Sequence, residues 1–237
     1  MKLFKQIILI LILTKSATLF ANDSLKVDLS VGADVVNHYI WRGLMLSNSP
    51  SIQPTMSVTL GRFSLGSWAS YSVNPSAFQE VDLFLTYSVG TVTIGLNDYY
   101  NPVDSLGFND SYFNYGKSTT LHTLESFLTI SKIGETNFSA TGALFVYGND
   151  KDEALKNMYS SYLELSYATK VKDYGLNFFC GATLKKGFYA ENAAIVNLGA
   201  SIAKDIKVSD TFSVPCKGSF ILNPDKQNVF LVLGFTF

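Results

Sequence analysis

Apolar and polar residues alternate with a period of two along most of the chain after residue 25. In the run 81–89, one face carries Val81, Leu83 and Leu85, whereas the other face carries Asp82, Thr86 and Ser88. The same alternation occurs in 27–35, 51–60 and 229–237. A period of two is typical of β-strands that have one apolar face and one polar face. The sequence therefore predicts an all-β protein.

Runs of this kind recur twelve times, and most of them are ten to fifteen residues long. A strand of a soluble protein is usually about 5–6 residues long, whereas a tilted strand that crosses a bilayer needs about 9–11. The length of the runs therefore favours membrane-crossing strands. The predicted strands lie near 27–41, 51–60, 63–73, 79–89, 91–100, 120–131, 136–147, 158–170, 174–184, 191–203, 209–222 and 227–237.

The predicted connections alternate between short turns and long loops. The short turns lie at 61–62, 90, 133–135, 172–173 and 205–208, and the long loops lie at 42–50, 101–119, 149–157 and 185–190. Short turns on one side and long loops on the other are typical of outer-membrane barrels, in which the short turns face the periplasm. An even number of strands also predicts that the N- and C-termini both lie on the periplasmic side.

Aromatic residues cluster near the two ends of the predicted strands. Tyr39, Trp41, Tyr71, Tyr99, Tyr100, Tyr147, Tyr159 and Phe220 fall near the long loops, and Phe63, Tyr87, Phe138, Tyr167, Tyr174, Phe212, Phe235 and Phe237 fall near the short turns. Two such girdles are typical of a barrel in a bilayer. A soluble β-sandwich, the alternative, would have polar outer faces, but here one face of nearly every strand lacks charge. We therefore predict a transmembrane antiparallel β-barrel over residues 22–237.

The first residues have the pattern of a secretory signal peptide. Lys2 and Lys5 form a basic start, residues 7–13 are all apolar, and Ala21 offers a small residue for cleavage. A transmembrane helix would need about 20 apolar residues. We therefore predict a signal peptide over 1–21 and export to the outer membrane of a Gram-negative bacterium. The absence of cysteine near residue 21 argues against a lipoprotein anchor.

Composition narrows the classes of partner. The chain has 237 residues, is 16% charged and 14% aromatic, and has a formal net charge of −1, which falls to about −4 when Lys2, Lys5 and Lys15 are removed. A nucleic-acid partner would need a basic face, so none is predicted. Cys180 and Cys216 lie on predicted strands that are not neighbours, and whether they form a disulfide stays open.

The width and charge of the lumen set the predicted function. Twelve strands tilted by about 40° give a backbone radius of roughly 12 Å, which inward-facing rings would narrow. The inward phase carries Asp28, Asp34, Glu80, Asp82, Glu125 and Glu164 against Arg42 and Lys217. This excess of negative charge favours a narrow channel for small solutes or cations. In the alternative, the basic residues pair with these acids and close a structural barrel.

Two specific pairings follow from the predicted strand phases. Arg42 enters the lumen from the same rim as Glu80 and Asp82, so we expect Arg42 to pair with one of them and to gate the outer mouth. Asp34 and Lys217 lie near mid-height on strands separated by one neighbour, about 10 Å apart, which a lysine side chain can partly span.

Catalytic and metal chemistry have little support in the sequence. His38 and His122 are the two histidines, and no nucleophile stands at the spacing that a barrel lipid hydrolase requires. No phosphate-binding glycine loop and no cluster of metal ligands is present. We therefore expect no catalytic residue, metal or cofactor. Lipid hydrolysis remains one alternative, and a structural or adhesive barrel that acts through its surface loops is another.

The N-terminal half resembles the porins of the TorF family. The matching residues are Tyr-Ile-Trp-Arg-Gly at 39–43, Trp-Ala-Ser at 68–70, Glu-Val-Asp-Leu at 80–83 with Tyr87, and Asp-Tyr-Tyr at 98–100. The resemblance covers roughly residues 30 to 100. It implies an outer-membrane barrel of porin type without a well-defined substrate.

The last strand looks like the signal that barrel-assembly machinery recognises. Its apolar face carries Leu231, Leu233, Phe235 and the final residue Phe237. The predicted partners are accordingly this machinery, outer-membrane lipid and small solutes or cations.

Overall fold

A computed structural model describes residues 26–74, 78–102 and 111–237. No helix within these ranges is long and apolar enough to cross a membrane. The fourteen strands of the described residues are β1 (Val27–Val36), β2 (Tyr39–Trp41), β3 (Leu44–Ser47), β4 (Ser51–Leu60), β5 (Phe63–Ser72), β6 (Glu80–Val89), β7 (Val92–Tyr100), β8 (His122–Ile130), β9 (Phe138–Gly148), β10 (Ser161–Val171), β11 (Tyr174–Thr183), β12 (Ala194–Lys207), β13 (Ser213–Asn223) and β14 (Asn228–Thr236).

Twelve of the described strands close into one antiparallel barrel. From β4 to β14 each strand pairs with the next, and β1 pairs with β14 on one side and with β4 on the other. A closed barrel leaves no open sheet edge of the kind that invites aggregation. The predicted fold class, an all-β barrel of twelve strands, is confirmed.

The alternation of the sequence determines which face of each strand points outward. On β6, Leu83 and Leu85 are 41% and 47% exposed on the outer surface, whereas Glu80 and Asp82 are buried on the lumen side. On β14, Leu231 and Leu233 are likewise exposed. Since successive side chains of a strand point to opposite faces, the outer surface is an apolar band and the charged positions lie inside.

The barrel closes at a short seam between β1 and β14. Register pairs join Asp34 to Thr236, Val35 to Phe235 and Val36 to Gly234, and the backbones of Ala33 and Phe237 exchange hydrogen bonds of 3.1 and 2.9 Å. Beyond Val36 the chain leaves the barrel wall, and the side chain of Asn37 hydrogen-bonds to the backbone of β14. Its Nδ2 donates to the carbonyl of Leu231 at 3.2 Å, and its Oδ1 accepts from the backbone amide of Leu233 at 2.8 Å.

The prediction of a continuous first strand over 27–41 is wrong. β1 ends at Val36, and β2 and β3 form a separate two-stranded hairpin before the chain re-enters the wall at β4. Tyr39 and Trp41 therefore lie in this hairpin and not in a rim girdle, and 42–50 is not a simple loop. The predicted turn at 205–208 is also misplaced, because β12 continues to Lys207.

The remaining predictions about chain organisation concern the termini and the cysteines. The predicted signal peptide, 1–21, lies outside the described residues. Cys180 on β11 and Cys216 on β13 are free, and β12 separates their strands. The open question of a disulfide is thus answered by the topology.

Candidate functional site

The hairpin formed by β2 and β3, here called the inner hairpin, turns at Arg42 and Gly43. Trp41 pairs with Leu44, and the two residues between them have φ values of 50° and 79°. Positive φ at both central residues is the mark of a type I′ turn, which suits the twist of a hairpin, and glycine adopts it without strain. The backbone thus presents Arg42 at the tip of the inner hairpin.

Arg42 binds a carboxylate on the far side of the lumen. Its guanidinium donates to both oxygens of Glu125 on β8, with Nη1–Oε1 of 2.5 Å and Nη2–Oε2 of 2.9 Å, and to the hydroxyl of Tyr189 at 2.5 Å. Glu125 is only 1% exposed. Bidentate pairing of arginine with carboxylate is strong and directional, so this contact holds the tip of the inner hairpin across the barrel.

Aromatic rings surround the same guanidinium. The Arg42 Cζ lies 4.6 Å from the ring centroid of Trp41 and 4.5 Å from that of Tyr162 on β10. Such cation–π contacts strengthen when water is excluded. The rings thus shield the ion pair from solvent on the faces that Glu125 leaves open.

Trp41 fills the space between the inner hairpin and the barrel wall. Its ring stacks on Phe145 at 6.3 Å and contacts Tyr99, Phe188 and Tyr189 at 5.5 to 5.9 Å between centroids. Phe145 and Tyr189 are almost fully buried. This aromatic cluster fills the lumen near the end of β9 and the loop between β11 and β12. Tyr99 accordingly faces the lumen, and its predicted place in the outer girdle is wrong.

Gly43 allows the tip to approach the wall closely. A Cβ atom at this position would lie 1.9 Å from the carbonyl oxygen of Val196, a residue of β12. The Gly43 carbonyl accepts a hydrogen bond of 3.1 Å from the side chain of Asn223 on β13. The inner hairpin is therefore fastened at β8, which lies across the barrel from β1 and β4, and also at β12 and β13.

The base of the inner hairpin contacts one of two neighbouring acids on β6. The hydroxyl of Tyr39 donates to Glu80 at 2.7 Å, and its ring packs 5.4 Å from that of Trp68. Asp82 lies two residues from Glu80 on the same face, and its Oδ1 is buried without a hydrogen-bond partner in the described part of the chain. The expected pairing of Arg42 with Glu80 or Asp82 is wrong, because the inner hairpin carries Arg42 past β6 to Glu125.

Glu164 on β10 accepts hydrogen bonds from two uncharged side chains. It accepts from the Tyr162 hydroxyl and, at 3.1 Å, from the Asn197 amide. The ring of Tyr162 separates this network from Arg42. The sequence did not indicate these partners of Glu164.

The expected contact between Asp34 and Lys217 does not form. Asp34 accepts a hydrogen bond of 2.5 Å from Thr236, while no ion pair of the described residues involves Lys217. Their strands, β1 and β13, are separated by β14 as predicted. Lys217 is exposed although it faces the lumen, so water reaches the interior below the inner hairpin.

A second buried cluster lies on the outer wall and was missed by the sequence reasoning. His122 has its Nδ1 2.7 Å from Asp98 Oδ1 and its Nε2 2.5 Å from the Tyr112 carbonyl oxygen, and the ring of Tyr115 stacks on it at 4.1 Å. Burial and the nearby Asp98 raise the pKa of Tyr115 above its ordinary range. Both ring nitrogens are therefore engaged in fastening residues 111–121 to β7 and β8.

Metal ligands are not grouped in the described ranges. Among these residues no set of three or more His, Cys, Asp or Glu side chains could hold a metal ion.

The four residues of the predicted assembly signal lie on the outer surface of β14 and at its end, all of them exposed.

The fold and the lumen define a class: a closed twelve-stranded barrel whose mouth is filled by a hairpin of its own chain. The model of a family of bacterial proteins of unknown function, Gcw_chp, matches residues 21–212, and the chain belongs to this family. Comparisons with curated proteins and with solved structures gave no match.

Proposed function

We propose that this protein is an outer-membrane β-barrel that spans the bilayer with its twelve barrel strands. Two features support this proposal. The outer surface is apolar, as a lipid-facing surface must be. The barrel is closed, so its backbone polar groups are paired within the protein, which hydrocarbon requires. The C-terminal aromatic strand fits assembly by barrel-assembly machinery. In the proposed orientation, the N- and C-termini and the short turns face the periplasm.

Within the barrel, the proposed function is a narrow channel for small solutes or cations that the inner hairpin keeps closed. The observation that carries it is the inner hairpin itself, which crosses a lumen with a polar wall and is held at its tip by the Arg42–Glu125 ion pair. The inner hairpin forms a sheet of its own and is held at its tip by side-chain contacts, so it can move without breaking the strand pairing of the barrel. This function is close to the porin type implied by the resemblance to the TorF family.

The charge of the mouth supports a preference for cations. Glu80 and Asp82 are buried next to the inner hairpin, and no ion pair of the described residues involves either of them. Their carboxylates would meet a solute at the point where the inner hairpin withdraws. Acidic rings at a constriction favour cations through their field.

Planar-bilayer recording of the purified protein tests this function. We expect the parent to show rare openings of small conductance, and a variant in which 38–49 is replaced by a short Gly-Ser linker to conduct steadily. Reversal potentials in a salt gradient should indicate cation preference in both. A control variant with Lys186→Ala, which removes an exposed loop ion pair, should behave like the parent. Steady full conductance of the parent would contradict closure by the inner hairpin.

A closed structural or adhesive barrel is the second candidate, and the buried aromatic cluster around Trp41 favours it. If the linker variant conducts but the parent shows no opening at any voltage, the inner hairpin is a permanent plug and this second function applies. We propose no catalytic role for His122, because neither ring nitrogen is available to a substrate. Lipid hydrolysis by the parent that is lost in His122→Ala would overturn that proposal.

A further inference from the structure

A cavity of about 270 Å³ lies in the lumen directly below the base of the inner hairpin. Its upper side is formed by His38, Tyr39 and Ile40, and its wall by inward-facing residues of β1, β4, β13 and β14. Because water reaches Lys217 in this part of the lumen, a small solute can enter as well.

Two charged side chains of opposite sign line the cavity, one on each of the two strands that flank β14. Asp34 lines it from β1 and is oriented by the 2.5 Å hydrogen bond from Thr236. Lys217 lines it from β13 and forms no ion pair with a described residue. Two strand spacings, about 10 Å, separate the two backbones, so each charge faces the cavity without satisfying the other.

The gap between these charges suits a ligand that carries both signs. Asp34 and Lys217 form no ion pair, so one ligand with a charge of each sign can bridge them. The ammonium and the carboxylate of an α-amino acid are joined through a single carbon atom, so the flexible Lys217 side chain can reach the carboxylate while Asp34 accepts from the ammonium. The wall of the cavity also carries the apolar residues Val36, Ile221 and Val232, beside the polar Gln53 and Ser219, so a ligand with an aliphatic side chain can pack against the apolar part.

We infer that this cavity binds a small aliphatic zwitterion, with its carboxylate on Lys217 and its ammonium on Asp34. The inference rests on the proposed channel, for which it names the class of solute. Tyr39 connects the cavity with the acids of β6, since it lines the cavity and also donates to Glu80. A bound zwitterion therefore touches the base of the inner hairpin.

Calorimetric titration of the detergent-refolded parent with L-leucine tests the inference. We expect saturable binding that weakens at least about tenfold in Lys217→Met and in Asp34→Asn, because each change leaves one charged end of leucine unpaired. Two probes that lack one end, 4-methylpentanoate and 3-methylbutylamine, should bind the parent at least about tenfold more weakly than leucine. The control Lys170→Met removes a lumen-side lysine of β10 outside the cavity and should bind like the parent.

The outcomes separate this inference from the proposed channel. Asp34→Asn keeps an acceptor for Thr236, so a heat-modifiable gel band should confirm that the variant folds. Absence of leucine binding by the folded parent, or equal binding by both cavity variants, overturns the zwitterion site even if the bilayer recordings show a channel. Leucine binding without any conductance supports the site and contradicts the channel.

Discussion

Replacing Arg42 by alanine should open the outer mouth of the barrel. The change removes the guanidinium from Glu125 and leaves that carboxylate buried. Among the described residues, the hydroxyl of Tyr99 at 2.7 Å and the amide of Asn97 at 3.4 Å are its remaining side-chain donors. Breaking a buried ion pair by removing one partner costs about 3–5 kcal/mol. Since two donors remain, we expect the lower end of this range.

A loss of about 3 kcal/mol changes the ratio of open to closed inner hairpin by about two orders of magnitude. The parent and Arg42→Ala should therefore differ clearly in open probability when recorded in planar bilayers. Cation preference should also rise, because the mouth loses one positive charge while Glu125 stays. At low salt this difference should be largest, since screening is weakest there.

A double-mutant cycle isolates the ion pair from the aromatic contacts of the inner hairpin. Arg42→Met and Glu125→Gln should each raise the open probability. The double variant that combines them should be less open than the sum of the two single effects, because neither partner is left as a buried unpaired charge. Lys186→Ala provides the control. If Arg42→Ala matches the parent in open probability and reversal potential, the ion pair does not hold the inner hairpin closed.

Three further predictions use matched positions. Gly43→Ala should displace the tip of the inner hairpin and raise conductance, because its Cβ would meet the Val196 carbonyl. Gly90 also has a positive φ, but a Cβ there meets nothing within 4 Å, so Gly90→Ala should leave conductance unchanged. Equal conductance of the two variants would contradict the close approach of Gly43 to the wall. Glu80→Gln combined with Asp82→Asn should lower cation selectivity in low-salt reversal potentials, and an unchanged value would show that these acids are only structural. Leu233→Arg should reduce the heat-modifiable band on gels, since charge on the lipid face costs about 2–4 kcal/mol at mid-bilayer. Thr236→Lys, on the lumen side of the same strand, should leave this band unchanged. Equal yields of the two variants would argue against a lipid-facing Leu233.

The alternation of residues by itself determined the class of fold, the number of barrel strands and the face to which most side chains point. These properties are local, because neighbouring residues of a strand point to opposite sides whatever the strand pairs with. The positions of Glu80, Asp82, Glu125 and Glu164 within the alternation are therefore sufficient to place them in the lumen. The sequence also located most of the turns, since breaks in the alternation mark them.

The inner hairpin is what only the tertiary structure decided. Tyr39 and Trp41 resume the odd-numbered apolar series of β1 after a break at Asn37, and one such break does not distinguish a strand that stays in the wall from one that folds inward. One local signal was present: Arg42-Gly43 between apolar residues suits a two-residue hairpin turn. Its direction, however, depends on Glu125, Tyr189 and Asn223, which lie far along the chain. Pairing over such separations depends on how the barrel closes, and alternation carries no information about that.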